Sequence, residues 1–163
     1  MRLGFIGTGK IASSVITGIC NSSIIYENII ISPRNRKIAN NLKKRFKKIK
    51  IAKNNQEIIN NSDWVFLSVT PTVGEKIIKD LKFRSNQKVI SFISTITLSQ
   101  LKKMIKKKID IVRAIPLPPI SLKEGPVPIC PPNKKVKAFL INWDQPLKLK
   151  MKNYQLISGL LLV

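Results

Sequence analysis

A glycine-rich turn near the amino terminus, Gly7-Thr8-Gly9-Lys10-Ile11-Ala12, has the spacing of a phosphate-binding loop. It follows a short apolar run and precedes an amphipathic segment, so it connects a predicted strand to a predicted helix. In a G-x-G-x-x-A pattern the first glycine permits the tight turn, and the second lets a pyrophosphate approach the backbone. Free N–H groups at the helix N-terminus attract the anion. The turn therefore predicts a dinucleotide site; the alternative is a glycine-rich turn that binds no ligand.

The end of the second predicted strand indicates which dinucleotide would bind. An NAD site usually has Asp or Glu at this position, to hold the ribose 2′-hydroxyl. Here the strand is followed by Ser32-Pro33-Arg34-Asn35-Arg36, which contains no acid. Arg34 or Arg36 could pair with a 2′-phosphate, with Ser32 and Asn35 as neutral donors. The segment therefore favours NADP over NAD, although one arginine could simply cap a loop.

Two later turns lie at the same predicted edge of the sheet, because ligands bind outside the carboxyl ends of parallel strands. The first, Ser68-Val69-Thr70-Pro71, is where a cofactor ribose or nicotinamide could lie. The second follows Val112-Arg113-Ala114, where Arg113 could pair with a substrate carboxylate or with an acid of the core. The sequence does not decide between these two roles.

No residue stands out as a general acid. The acids Asp63, Glu75 and Glu124 are interpreted as a helix cap, a helix-surface charge and a loop charge, respectively. Histidine is absent, and the only two cysteines are far apart. These counts exclude a histidine metal site, a Ser-His or Cys-His nucleophile pair and a disulfide scaffold. Catalytic residues stay unassigned, and no metal is expected.

Short β-branched runs alternate with helix-period segments over the first 115 residues. This alternation predicts βαβ units, and hence a doubly wound α/β domain with a parallel sheet and helices on both faces. Strands are predicted at residues 3–6, 29–31, 49–51, 64–69, 88–93 and 109–115, and helices at residues 11–20, 36–47, 54–60, 73–81 and 98–107.

Seven prolines between residues 116 and 132 predict an extended or turning segment without helix or central strand. Beyond it, residues 134–142 could form a helix, residues 147–149 an edge strand, and the chain from Tyr154 onward a further helical segment. The sequence stops within the apolar run Leu160-Leu161-Leu162-Val163, so an incomplete element is expected. Residues 1–133 are therefore predicted as the dinucleotide-binding domain, and residues 134–163 as the start of a connecting or helical region.

The formal net charge of +22 has a compositional interpretation. Of the 30 basic residues 24 are Lys, and Ile and Asn are also abundant, as expected from A/T-rich codons. Arg, which reads phosphates and bases in a fork geometry, is scarce. This balance favours codon bias over a nucleic-acid or anionic-membrane partner. The sequence shows no targeting signal, and its late apolar run from Leu156 is too short to span a bilayer, which predicts a cytoplasmic protein.

Four stretches in order resemble pyrroline-5-carboxylate reductases: residues 4–12, the turn at Ser32–Asn35, Val69-Thr70-Pro71, and residues 112–116 leading to Glu124-Gly125. The similarity covers about residues 1–133. Those enzymes reduce a cyclic imine, 1-pyrroline-5-carboxylate, to proline with NAD(P)H. The resemblance implies a Rossmann domain with cofactor contacts at Gly7, Thr8, Gly9, Lys10, Ile11, Ser32, Arg34, Asn35, Val69, Thr70 and Pro71.

The resemblance also implies a second, all-helical domain that forms the dimer and much of the substrate pocket, and we expect this sequence to lack it. The chain departs from the family at Thr70, where a basic residue is usual, and at Leu117 and Pro118, which replace Asn and Thr. The expected function is the NADP-binding half of an imine or ketone reductase in proline biosynthesis, homodimeric only with the helical domain. The alternatives are a non-catalytic dinucleotide-sensing or interaction domain and, less favoured, a polyanion-binding protein.

Overall fold

Seven strands form a single sheet in the order β3-β2-β1-β4-β5-β6-β7. The computed structural model describes residues 1–141. Strands β1 to β6 are parallel, and β7 joins the edge antiparallel to β6. This order, in which the chain returns from the β3 edge to the far side of β1, confirms the predicted doubly wound topology. The strands are β1 (Arg2–Ile6), β2 (Asn28–Ile31), β3 (Ile49–Ile51), β4 (Trp64–Leu67), β5 (Lys88–Ser91), β6 (Asp110–Ala114) and β7 (Ile129–Cys130).

Helices cover both faces of the sheet, as right-handed crossovers require. They are α1 (Lys10–Cys20), α2 (Arg36–Arg45), α3 (Asn55–Asn60), α4 (Pro71–Ile77), α5 (Leu98–Ile105) and α6 (Lys134–Ile141). Buried residues of α1, α2 and α6 share one core cluster, in which Phe5 and Phe66 stack with ring centroids 4.4 Å apart. Buried residues of α3 and α5 form the cluster on the other face, with Val65 and Val89 of the central strands. None of the helices in residues 1–141 has the length and apolar character needed to cross a membrane.

The proline-rich segment differs from the prediction, which excluded helix. A 3-10 helix forms over Pro118–Leu122 and packs against α1, and the segment then supplies the two-residue edge strand β7. Proline is compatible with the first turn of such a helix because the first N–H groups have no intrahelical partner there. The antiparallel β7 extends the predicted parallel sheet at its edge, so the sheet is mostly parallel.

Several boundaries shift by a few residues. Strand β4 ends at Leu67 and β5 at Ser91, two residues before the predicted ends, so Ser68 and Val69 belong to the turn that follows β4. The predicted helix 134–142 is observed as α6, whose Val136, Phe139 and Leu140 join the core beside α1. The predicted edge strand at 147–149 and the helical segment from Tyr154 lie outside the described residues.

Candidate functional site

A pocket of about 680 Å³ opens at the carboxyl edge of the sheet, where β1, β2, β3 and β4 end. Its walls come from the turns after these four strands and from one side of α4. The lining residues are Gly7, Thr8, Gly9, Ser32, Pro33, Arg34, Asn35, Arg36, Asn54, Asn55, Ser68, Val69, Thr70, Val73 and Ile77. The set includes eight of the eleven residues predicted from sequence. Lys10 and Ile11, in the first turn of α1, and Pro71, the first residue of α4, are not among the lining residues.

The two glycines of the first turn have different structural roles. Gly7 has φ +97°, and a Cβ there would lie 2.2 Å from the carbonyl oxygen of Ser68, so the turn after β1 requires glycine. Gly9 has ordinary backbone angles, and a Cβ there would meet no atom within 4 Å. The space beside Gly9 is therefore open toward the pocket, as a bound pyrophosphate would need.

Helix α1 begins without a side-chain cap. Gly9 occupies the N-cap position, and the first helical hydrogen bond runs from Ser13 N–H to Gly9 C=O over 3.0 Å. The N–H groups of Lys10, Ile11 and Ala12 consequently have no intrahelical acceptor. Beside them, Thr8 is 3% exposed, and its hydroxyl has no hydrogen-bond partner in the part of the chain that is described. These donors at the positive end of α1 suit an anion.

At the end of β2, the two arginines are exposed and open, whereas their neutral neighbours form hydrogen bonds within the protein. Arg34 and Arg36 are exposed, and neither forms an ion pair with an acid among residues 1–141. Ser32 is buried and donates its hydroxyl to Oδ1 of Asn55 over 2.9 Å. Asn35 caps α2, because its Oδ1 accepts from the N–H of Ile38 over 3.3 Å. The hydroxyl hydrogen of Ser32 is thus already used within the protein, whereas the guanidinium groups remain available.

Asn54 and Asn55, which follow β3, line the pocket but were not predicted as site residues. Asn54 caps α3, because its Oδ1 accepts from the N–H of Glu57 over 2.9 Å. The available signal was their place after a third parallel strand, since the same edge rule applies to β3 as to β2 and β4.

The pocket lining contains two arginines and no acid. Asp63 lies at the opposite edge of the sheet and accepts two hydrogen bonds of 2.8 Å from Arg2, through the backbone N–H and the guanidinium. The guanidinium bond is the main cause that holds the pKa of Asp63 below its usual value. The interpretation of Asp63 as a helix cap is therefore wrong, whereas Glu75 and Glu124 are exposed on α4 and in a loop. Residues 1–141 contain no group of three metal-ligating side chains.

Comparison with known proteins identifies a family and relatives that this chain resembles. A family model described as NADP oxidoreductase coenzyme F420-dependent matches residues 2–96, more than half of the 163-residue chain. Pyrroline-5-carboxylate reductase 3 of Danio rerio is 30% identical over 130 residues, which cover 77% of this chain and 44% of that protein. The chain spans about half the length of the curated relatives it matches.

Solved structures of pyrroline-5-carboxylate reductases have the same fold as this chain. The 1-pyrroline-5-carboxylate reductase of Streptococcus pyogenes is 25% identical, with a TM-score of 0.69 over 86% of this chain and 53% of that chain. The pyrroline carboxylate reductase of Plasmodium falciparum, solved with NADP bound, has the same fold, with a TM-score of 0.73 and 24% identity over 86% of this chain and 52% of that chain.

The family match includes every residue that lines the pocket, from Gly7 to Ile77. The fold is a Rossmann fold. The chain belongs to the family described as NADP oxidoreductase, coenzyme F420-dependent, and it is similar in sequence and fold to pyrroline-5-carboxylate reductases.

Proposed function

We propose that this chain is the NADPH-binding part of a reductase that transfers hydride to a cyclic imine such as 1-pyrroline-5-carboxylate, in proline biosynthesis. The observation that carries the proposal is the pocket, which joins a helix N-terminus without a side-chain cap, a glycine with open space beside it and two arginines that form no ion pair within residues 1–141. The pyrroline-5-carboxylate reductases that match the chain support the substrate class.

The residues present fit a dinucleotide. The pyrophosphate would lie against the backbone of Gly7, Thr8 and Gly9 and the first-turn N–H groups of Lys10 and Ile11. The unpartnered hydroxyl of Thr8 adds a donor close to these amides. The adenosine half would occupy the end of β2, beside Ser32, Arg34 and Asn35, and the ribose and nicotinamide of the other half would lie beside Val69, Thr70 and Pro71.

NADP is preferred to NAD because of the charges at the end of β2. A 2′-phosphate placed there would meet Arg34 and Arg36 and no carboxylate, because no acid occurs between Glu27 and Glu57. Charge-assisted hydrogen bonds from a guanidinium to a phosphate are among the strongest in proteins. The NADP bound to the Plasmodium falciparum relative supports the same choice.

When bound, the reduced nicotinamide supplies the hydride, and the protein positions it. The lining residues include no carboxylic acid or amine that could protonate the imine nitrogen, so the proton donor lies elsewhere or is water.

We assign dinucleotide binding to residues 1–133 and treat residues 134–163 as the start of a connecting or helical region. The substrate is a small imine or ketone, and homodimer formation would depend on the helical domain of the longer relatives.

Titration of the chain with NADPH and with NADH, followed by nicotinamide fluorescence, tests the cofactor. We expect NADPH to bind at least about tenfold more tightly, the effect of one charge-assisted contact. Equal affinities or a preference for NADH would overturn the NADP assignment. The second candidate is a dinucleotide-sensing module, which the absence of an acid from the pocket lining supports.

A further inference from the structure

The loop between β5 and α5, residues 92–97, lies at the carboxyl edge of the sheet beside the turn that follows β4. Both of its ends are fixed. At the start, the N–H of Phe92 donates to Leu67 C=O over 2.9 Å, and Oγ of the buried Ser91 accepts from the N–H of Ile93. At the end, Thr97 and Gln100 form a capping box that opens α5.

The buried side chains of this loop contact the wall of the pocket. Ile93 and Ile96 are 3% and 2% exposed. A Cβ on Gly74 of α4 would lie 2.9 Å from Cδ1 of Ile93, 3.4 Å from Cδ1 of Ile96 and 3.5 Å from Cγ2 of Val69. Val69 lines the pocket and packs against the cluster that contains Ile93 and Ile96, so the loop supports that part of the wall.

The tip of the loop is held by Arg113 of β6. Ser94 and Thr95 at the tip are exposed, and Arg113 donates from its guanidinium NH2 to Ser94 C=O over 2.5 Å. The strand register makes this reach possible, because Arg113 is paired with Ser91, three residues before Ser94. The sequence left open whether Arg113 pairs with a substrate carboxylate or a core acid. Within residues 1–141 its partner is a backbone carbonyl.

The order of the sheet indicates which half of a dinucleotide this loop would face. A dinucleotide crosses the point where strand order reverses, which is here between β1 and β4. Arg34 and Arg36 mark the adenosine side, on the β2 and β3 half of the pocket. The nicotinamide half must therefore extend toward the ends of β4 and β5, where residues 92–97 lie.

We propose that Arg113 is a positioning residue for the nicotinamide half of the cofactor, because it fixes the β5–α5 loop against Val69 and α4. The inference rests on the proposed dinucleotide site. It assigns Arg113 no contact with the substrate. Removing its hydrogen bond to Ser94 would free the loop tip while leaving both anchored ends in place, so the adenosine half of the site would be unaffected.

Arg84 provides a matched control at the opposite edge of the sheet. Its NH2 also donates to a backbone carbonyl, that of Ser62, over 2.6 Å. The Nε atoms of both arginines are buried and lack a partner in the described part of the chain. Arg84 is remote from the pocket lining, so its replacement removes an equivalent hydrogen bond without touching the loop.

The experiment compares Arg113→Met and Arg84→Met with the unmodified chain, using two ligands. One is NADPH, and the other is adenosine 2′,5′-bisphosphate, which contains the adenosine half alone. We expect Arg113→Met to weaken NADPH binding by about threefold to tenfold, the effect of one hydrogen bond. Its affinity for the bisphosphate should stay within about twofold, and Arg84→Met should change neither affinity by more than this, because no pocket contact is lost.

A proportional loss for both ligands in Arg113→Met would overturn the inference, and so would unchanged affinity for NADPH. If the unmodified chain bound neither ligand, the proposed function itself would be wrong. Hydrogen exchange of residues 92–97 supplies a readout without ligand: it should rise in Arg113→Met and not in Arg84→Met. If the methionine variant does not fold, Arg113→Lys, which keeps the charge and shortens the side chain, is measured in the same way. Its affinity for NADPH should also fall while its affinity for the bisphosphate is retained.

Discussion

The two ends of the central strands differ in how their polar groups are satisfied. At the amino edge, where β1, β4 and β5 begin, buried polar side chains bond to the protein itself. At the carboxyl edge, the buried hydroxyl of Thr8 has no partner within residues 1–141, and the first turn of α1 beside it has no side-chain cap. Because an unpaired buried polar group destabilises a folded protein, natural structures leave few of them. Open groups that adjoin a pocket are the ones that a bound ligand could satisfy.

The amino-edge network is formed by the side chains of Gln87, Ser62 and Arg84. Gln87, which is 3% exposed, donates to Ile59 C=O and to Ser62 C=O over 2.6 and 2.7 Å, and its Oε1 accepts from the N–H of Arg84. Ser62, fully buried, donates to Ile58 C=O. Two buried atoms remain unpaired there, Oδ1 of Asn28 and Nε of Arg84, but both side chains donate through other atoms.

At the carboxyl edge, three groups around the pocket are open to a ligand. The hydroxyl of Thr8 makes no hydrogen bond within residues 1–141, the first turn of α1 has no side-chain cap, and Arg34 has no acidic partner. The edges thus separate two kinds of residue: those whose replacement should affect folding and those whose replacement should affect binding.

The sharpest test of this separation is Gly9→Val. A side chain at position 9 would meet no protein atom, so the free energy of unfolding should change little, but it would fill the space that a pyrophosphate needs. We expect NADPH affinity to fall at least about a hundredfold. Circular dichroism and a cofactor titration on the same sample measure both effects. Retained binding would show that Gly9 does not face the cofactor.

Gln87→Leu should produce the reverse result. The substitution removes two donors and one acceptor from a buried site, and it leaves the N–H of Arg84 without its acceptor. We expect a loss of about 2–3 kcal/mol in the free energy of unfolding, the range for breaking buried hydrogen bonds. Urea denaturation measures this, and NADPH affinity well below the unfolding transition should be unchanged. A large loss of affinity in the folded variant would contradict the division between the edges.

Arg34→Ala should lower the affinity for NADPH much more than the affinity for NADH. The side chain is exposed and unpaired, so its removal should leave stability almost unchanged. We expect a loss of about 1–2 kcal/mol in NADPH affinity and little change for NADH, which lacks the 2′-phosphate. Arg45→Ala, in the last turn of α2 and outside the pocket lining, is the control for a general effect of charge. Equal losses in both variants would indicate long-range attraction and not a specific contact.

Asp63→Asn should have the smallest effect, confined to stability and dependent on pH. Because Arg2 lowers the folded-state pKa of Asp63, the pair stabilises the fold above the unfolded-state pKa, and this stabilisation is lost as pH falls through the folded-state value. Both side chains are more than one-third exposed, so solvent screening limits the contribution to less than about 1 kcal/mol. Urea denaturation at pH 7 should distinguish the variant from the unmodified chain, and at pH below about 3 the difference should shrink. A constant difference across this range would show that the carboxylate charge is not its source.

Much of the pocket edge was predictable from sequence because its signals are local. The glycine turn, the acid-free end of β2 and the turn at Val69 each follow an apolar strand, and all three line the pocket as predicted. Whether these residues bind cofactor stays a prediction.

The amino edge could not be predicted in the same way. Ser62 and Gln87 carry no motif, and their bonds join residues 25 positions apart in sequence, so only the folded chain brings them together. The partner of Arg113 was missed for the same reason. The 3-10 helix at Pro118–Leu122 was missed because proline content alone does not separate an extended segment from a single helical turn.

The central position of β1 has a consequence for the order in which the chain folds. One side of β1 pairs with β2, which follows within the same βαβ unit, and the other pairs with β4, where Leu3 lies opposite Trp64. On a ribosome that adds 5–20 residues per second, β4 emerges roughly 3–12 seconds after β1. Until then the backbone of Ser68, against which the Gly7 turn is closed, is missing, and the half-sheet β3-β2-β1 exposes an unpaired central strand. Cofactor binding thus cannot assist the early steps of synthesis; it can stabilise only chains in which β4 has already docked.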